Sequence, residues 1–161
     1  MVVVQHADFN AAALTAALRA RAGTQAGALV CFTGYVRDYA PEASTHSLFL
    51  EHYPGMCERV IANLLDRAHA RWRVLDAAVV HRVGEMNIGE QIVYVGVISA
   101  HRNDAFDACH YIMDMLKTEA PFWKKETLAD GQQFWVSARE QDDLASRRWL
   151  DPALQPTKDS D

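Results

Sequence analysis

Gln91-Ile92-Val93-Tyr94-Val95-Gly96-Val97-Ile98-Ser99-Ala100 is the stretch whose reading decides the fold. From Ile92 to Ile98 it is apolar at consecutive positions, without the alternation of a strand that keeps one face in water. It reads as a central strand buried on both faces. Such a strand needs partners beside it and layers above and below, and the flanking sequence offers both. Residues 74–83 form a second apolar strand, joined to the first by a glycine-containing loop at 84–89. Residues 56–72 place Val60, Ile61, Leu64, Leu65 and Ala68 at helical spacing. Residues 10–22 are rich in Ala and Leu and predict a helix that Asn10 can cap.

Further out, residues 2–5, 28–36 and 48–53 read as strands, the last ended by Pro54-Gly55, and 38–45 as a loop around Pro41. After the central strand a helix follows, with Asn103 or Asp104 as its cap and Phe106, Cys109, Met113 and Leu116 as its apolar stripe. Pro121 stops it. Residues 122–127 and 133–136 predict a hairpin around Asp130-Gly131, and 139–149 a last helix. The expected class is α+β: a mixed, largely antiparallel sheet covered by helices. Residues 1–150 are expected to be one domain and 151–161 a loose polar tail.

Half of the 161 residues are hydrophobic, 23% are charged and the formal net charge is -5. An acidic balance argues against nucleic acid or an anionic membrane as partner, because neutralising many phosphates needs a broad basic surface. It leaves room for a local pocket that holds one anion. No apolar run is long enough to span a bilayer, and the first residues lack the pattern of a secretory signal, so the expected location is the cytoplasm. Cys31, Cys57 and Cys109 are widely spaced and sit among apolar neighbours. They form no disulfide framework and no zinc pattern, and read as small core residues. No metal site is expected.

Four places could carry chemistry. His101-Arg102 stands where the buried strand meets a helix, and backbone N–H groups with an adjacent guanidinium favour a phosphate there. An ion pair between Arg102 and Asp104 accounts for the same residues and, taken alone, is the stronger reading. Lys117 lies in the last turn of that helix, where the dipole favours a cation. An i, i+3 pair with Asp114 is the plainer account. In the strand Phe122-Trp123-Lys124-Lys125-Glu126, alternation puts Lys124 and Glu126 on one face and Lys125 with Trp123 on the other. Lys117 and Lys124 could converge across the proline turn and depress each other's pKa, although a solvated basic edge is common. Arg37, at the end of a strand beside a loop, suits a ligand site or an ordinary surface.

Five segments in register, Phe32-Thr33-Gly34-Tyr35-Val36-Arg37, Leu50-Glu51-His52-Tyr53-Pro54-Gly55-Met56, His81-Arg82-Val83-Gly84-Glu85, Val95-Gly96-Val97-Ile98-Ser99-Ala100-His101-Arg102 and Leu116-Lys117-Thr118-Glu119-Ala120-Pro121-Phe122-Trp123-Lys124-Lys125-Glu126, resemble the large, catalytic subunit of molybdopterin synthase. The resemblance covers roughly residues 28–149. It implies an α/β hammerhead-like fold with a small extra β subdomain. It implies a sulfurtransferase without a cofactor of its own, which converts cyclic pyranopterin monophosphate to molybdopterin. The two dithiolene sulfurs would come from the Gly-Gly thiocarboxylate tail of a small ubiquitin-like partner, in a heterotetramer built on a homodimer of large subunits. Carried over by motif, Lys117 and Lys124 are its catalytic lysines. Arg37, His101, Arg102, Lys125, Glu126 and Arg139 bind substrate, with Arg139 supplied across the dimer. Tyr35 stands where a basic residue is common in the family, and Lys125 where Arg is common. A non-catalytic scaffold for a ubiquitin-like tail, and a phosphoester hydrolase using His101, are the competing readings.

Overall fold

The computed structural model describes residues 1–38, 45–136 and 140–150, with side chains left out at 140–143. The elements run β1 (Val2–Gln5), α1 (Ala11–Ala22), β2 (Ala28–Tyr35), β3 (Thr45–His52), α2 (Met56–Arg71), β4 (Val74–Arg82), β5 (Gly84–Asn87), β6 (Gln91–Ser99), α3 (Arg102–Glu119), β7 (Phe122–Leu128), β8 (Gln133–Val136) and α4 (Glu140–Arg147). Short 3-10 turns follow α1 and α4. The expected tail at 151–161 lies outside the described residues, as does Arg139.

Among the described residues the strands form two sheets of four; the residue pattern alone reads as one sheet, and the resemblance implies a small extra β subdomain beside it. The first runs β1-β4-β6-β2, with only the β1–β4 pair parallel. The second runs β5-β3-β7-β8 and is antiparallel throughout. The class is α+β, as the sequence implies.

β6 is central in the first sheet, and every residue from Val93 to Ser99 is buried. Its two faces serve two layers. Val93, Val95 and Val97 pack with Ile61, Leu64 and Leu65 of α2 and Ala108, Cys109 and Ile112 of α3. Tyr94 and Ile98 face the other way, onto Leu18 of α1 and Phe9. The unbroken apolar run of β6 is the signature of this sandwiching.

Three expectations are corrected. Residues 84–89, read as a loop, contain β5. Gly84 turns the chain out of the first sheet with φ 82°, a conformation that favours glycine, and a Cβ there would come within 2.6 Å of His6 Nδ1. Met86 then buries itself against Leu48 in the second sheet. Four residues are too short for a periodicity to show.

Second, α3 starts at Arg102 with His101 as its N-cap, so neither Asn103 nor Asp104 caps it, and the His101 side chain makes no capping hydrogen bond. The Ser99 hydroxyl instead accepts from the His101 N–H at 3.2 Å and donates to the Arg73 carbonyl at 2.7 Å, tying the strand-to-helix corner to the start of β4. Third, Phe106 is exposed. The buried stripe runs through Ala105, Ala108, Cys109, Ile112 and Leu116, and Phe106 sits at its edge. Asn10 caps α1 as predicted, accepting from the Ala13 N–H at 2.9 Å.

Candidate functional site

α3 separates two groups of basic residues. At its N-terminus His101 and Arg102 are both exposed. The first-turn N–H groups of a helix favour an anion, and Arg102 stands on that turn. Asp104 occupies the same turn. At the other end Lys117 is exposed in the last turn. Lys117 lies fifteen positions along the helix from Arg102, a rise of about 22 Å.

Six residues carry the chain from Lys117 to Lys124, through Pro121 and into β7. Register fixes the facing of β7. Lys124 lies opposite Leu50 and Glu126 opposite Leu48, so both point to the face where Val36, Leu48, Leu50 and Met86 form a small buried cluster. Glu126 is 4% exposed, an unusual place for a carboxylate, and its Oε1 lies 4.0 Å from Lys124 Nζ. Lys124 is only partly covered, so the pair spans the boundary between core and solvent. Arg37 is exposed and directly follows buried Val36, a member of the same cluster. Lys124 and Glu126 thus share one patch, and the Arg37 backbone leaves its edge.

Lys125 occupies the opposite face. Its ammonium sits 5.1 Å from the centre of the Phe49 ring and 5.7 Å from that of Trp135, a cation–π arrangement beside the exposed Trp123. The alternation of the sequence predicts this division. Of the eight residues singled out, the structure brings Lys124 and Glu126 together over one cluster and puts Lys117 at the turn leading to them, while Arg37 is exposed next in sequence to Val36 of that cluster. The structure sets Lys125 behind the sheet and His101 and Arg102 at the far end of α3. Arg139 is outside the described residues.

Sequence reasoning missed the use of Asp114. Its buried carboxylate accepts from Trp149 Nε1 at 2.8 Å and from Arg148 Nη2 at 3.0 Å, and lies 3.5 Å from His110 Nε2. This fastens the segment after α4 onto α3, three residues before Lys117. A lone Trp in a polar C-terminal stretch was the available signal.

The cysteines divide two to one. Cys57 and Cys109 are buried, and burial raises both thiols, Cys109 to about 12, which keeps them protonated. Cys31 is exposed, which corrects the core reading for that residue, and its Sγ lies 3.3 Å from the Tyr94 hydroxyl. Two open clefts, of about 500 and 220 Å³, flank α2, and none of the basic residues singled out lines either. Among the described residues no helix is long and apolar enough to cross a membrane.

Comparison with known proteins agrees with the sequence motifs. The profile of a family described as "MoaE protein" matches residues 4–119. A molybdopterin synthase catalytic subunit from Ralstonia nicotianae is 51% identical over 91% of this chain and 82% of its own length. One from Vibrio cholerae is 49% identical over 92% of this chain and 97% of its own. Among solved structures, the molybdopterin cofactor biosynthesis protein E from Burkholderia multivorans superposes with a TM-score of 0.78 at 47% identity, covering 94% of this chain and 97% of that one. The molybdopterin synthase from Staphylococcus aureus superposes with a TM-score of 0.77 at 29% identity, covering 84% and 96%.

Proposed function

The chain belongs to the MoaE family, and from that premise we propose that it works as the catalytic subunit of a molybdopterin synthase, in molybdenum cofactor biosynthesis. As a sulfurtransferase it converts cyclic pyranopterin monophosphate to molybdopterin. The sulfurs arrive on the C-terminal Gly-Gly thiocarboxylate of a small ubiquitin-like partner, and the reaction takes place in the cytoplasm. Residues 1–150 act as one catalytic domain.

The observation that carries this reading is the pairing of half-buried Lys124 with buried Glu126 on the strand that Lys117 leads into. A thiocarboxylate is already a sulfur nucleophile, so the subunit needs no activated thiol, in keeping with two thiols held protonated by burial. The reaction does need cations. As each C–O bond gives way to a C–S bond, negative charge develops on the departing oxygen, and an ammonium beside it supplies a proton or holds the charge. Lys117 and Lys124 take that role. Glu126, fixed by burial, orients Lys124. Arg37 holds the substrate's anionic group near them, and Lys125, from the outer face of β7, adds to the positive field.

His101 and Arg102 are too far along α3 to share one small substrate with Lys117 of the same protomer, since about 22 Å separates the helix ends. Pairing of two large subunits removes the difficulty: the anion-holding end of one α3 completes the lysine end of the other, with Arg139 also crossing. Each large subunit carries one small partner, giving a heterotetramer.

The test is reconstitution. The purified protein, the pterin precursor and the thiocarboxylated small subunit should yield the dithiolene product in proportion to thiocarboxylate consumed. Folded protein that binds the partner yet yields no dithiolene under any condition would make it a scaffold and end this reading.

A further inference from the structure

The turn between Lys117 and Lys124 is pinned from below at two consecutive residues. The Cys57 thiol of α2, fully buried, donates to the Pro121 carbonyl at 3.5 Å. The next residue, Phe122, lies flat on the His81 ring, with centroids 4.0 Å apart and planes 14° from parallel. His81 belongs to β4 in the first sheet and Phe122 opens β7 in the second, so this stack joins the two sheets at the root of the strand that carries Lys124 and Glu126.

The His81 ring is itself fixed. It is 7% exposed, and its Nδ1 lies 2.8 Å from the Arg82 carbonyl. A carbonyl only accepts, so Nδ1 carries the proton, and that bond sets the plane on which Phe122 rests. Burial holds the ring neutral, with His52, the register partner of Phe122, adding to the same effect. A neutral ring stacks without the cost of a buried charge.

We propose that His81 is a positioning residue: its stack on Phe122 fixes the Pro121–Phe122 turn and so sets the relative placement of Lys117 and Lys124. The inference rests on the reading of those lysines as catalytic. It concerns their geometry, which is measurable apart from turnover.

The test uses the full-length protein with two substitutions. His81→Asn keeps an N–H donor for the Arg82 carbonyl and removes the ring; His81→Phe keeps the ring and removes the donor. One readout is turnover with the precursor and the thiocarboxylated partner. The other is the 13C resonances of reductively dimethylated Lys117 and Lys124, assigned through Lys117→Arg and Lys124→Arg. His81→Asn is expected to lower kcat on the order of tenfold with KM nearly unchanged, and to move the Lys124 resonance. His81→Phe, which keeps a ring under Phe122 but loses the bond that orients it, is expected to change clearly less than His81→Asn in both. Unchanged kcat and resonances in His81→Asn would overturn the proposal, as would equal losses in the two variants. If His81→Asn does not fold, Phe122→Leu replaces it, with the same expected loss and the same overturning result. Wild-type turnover by Lys117→Ala and Lys124→Ala would end the catalytic reading instead, while the resonances still decide whether His81 places the lysines.

Discussion

The two sheets differ in what covers them. β6 of the first sheet is buried from Val93 to Ser99, with helices packed on both faces. Among the described residues the second sheet packs on a small buried cluster, Val36, Leu48, Leu50 and Met86, and the charged pair Lys124 and Glu126 lies on that same face. Its other face carries exposed Trp123 and Trp135 around Lys125. The first sheet is therefore a scaffold whose side chains are chosen for volume. The second is a platform whose side chains are chosen for charge. Charged groups that must meet a substrate are cheaper to hold on a sheet with one wet side than inside a closed sandwich.

Substitutions can break this division. The largest effect is expected at the platform's edge. Lys117→Ala should lower turnover by roughly 10²- to 10⁴-fold, the range for losing a proton donor or charge stabiliser, while the unfolding midpoint stays in place because the side chain is exposed. Rates near wild type would take Lys117 out of the mechanism. The scaffold should behave in the opposite way. Leu64 is fully buried between α2 and the first sheet. Leu64→Ala should destabilise by about 3 kcal/mol in denaturant titration, with the folded fraction turning over normally. A variant of unchanged stability would show that the sandwich does not carry the fold.

The same division decided what was legible in the sequence. The scaffold was readable because burial on two faces writes itself as an unbroken apolar run, and an amphipathic helix as the spacing of Ile61, Leu64, Leu65 and Ala68. The platform was less so. β5 has four residues and exists because Gly84 bends the chain and Met86 finds Leu48, a tertiary contact with no local signature. That bend also splits what reads as one sheet into two. Within the site, the facing of Lys124, Lys125 and Glu126 followed from alternation alone. The distance between His101 and Lys117 was available from helix length, because the two stand at opposite ends of α3. The His81–Phe122 stack joins residues far apart in sequence, and no periodicity points to it.

pH offers a sharper probe of the junction between the sheets. His81 titrates near 6.5 in an unfolded chain and is lowered to about 4 in the folded one, chiefly by burial. The unfolded state therefore takes up the proton first as pH falls. The stability this residue contributes is complete above pH 6.5 and is lost between pH 6.5 and 4, by at most about 3 kcal/mol. Denaturant midpoints measured across that window should fall for the wild type and fall less for His81→Phe, which cannot take up the proton. Parallel curves would place the acid sensitivity elsewhere.

The smallest effect belongs to the part of the scaffold farthest in role from the platform. α1 covers the face of the first sheet that bears Tyr94 and Ile98, and Asn10 holds its first turn through the Ala13 N–H. Asn10→Ala leaves that N–H without its side-chain acceptor and should cost about 1 kcal/mol of stability. None of the residues placed in the site lies on α1, so kcat and KM should both be untouched. A loss of turnover larger than the loss of folded protein would mean that α1 reaches the reaction through the first sheet. The two sheets would then be one mechanical unit instead of a scaffold and a platform.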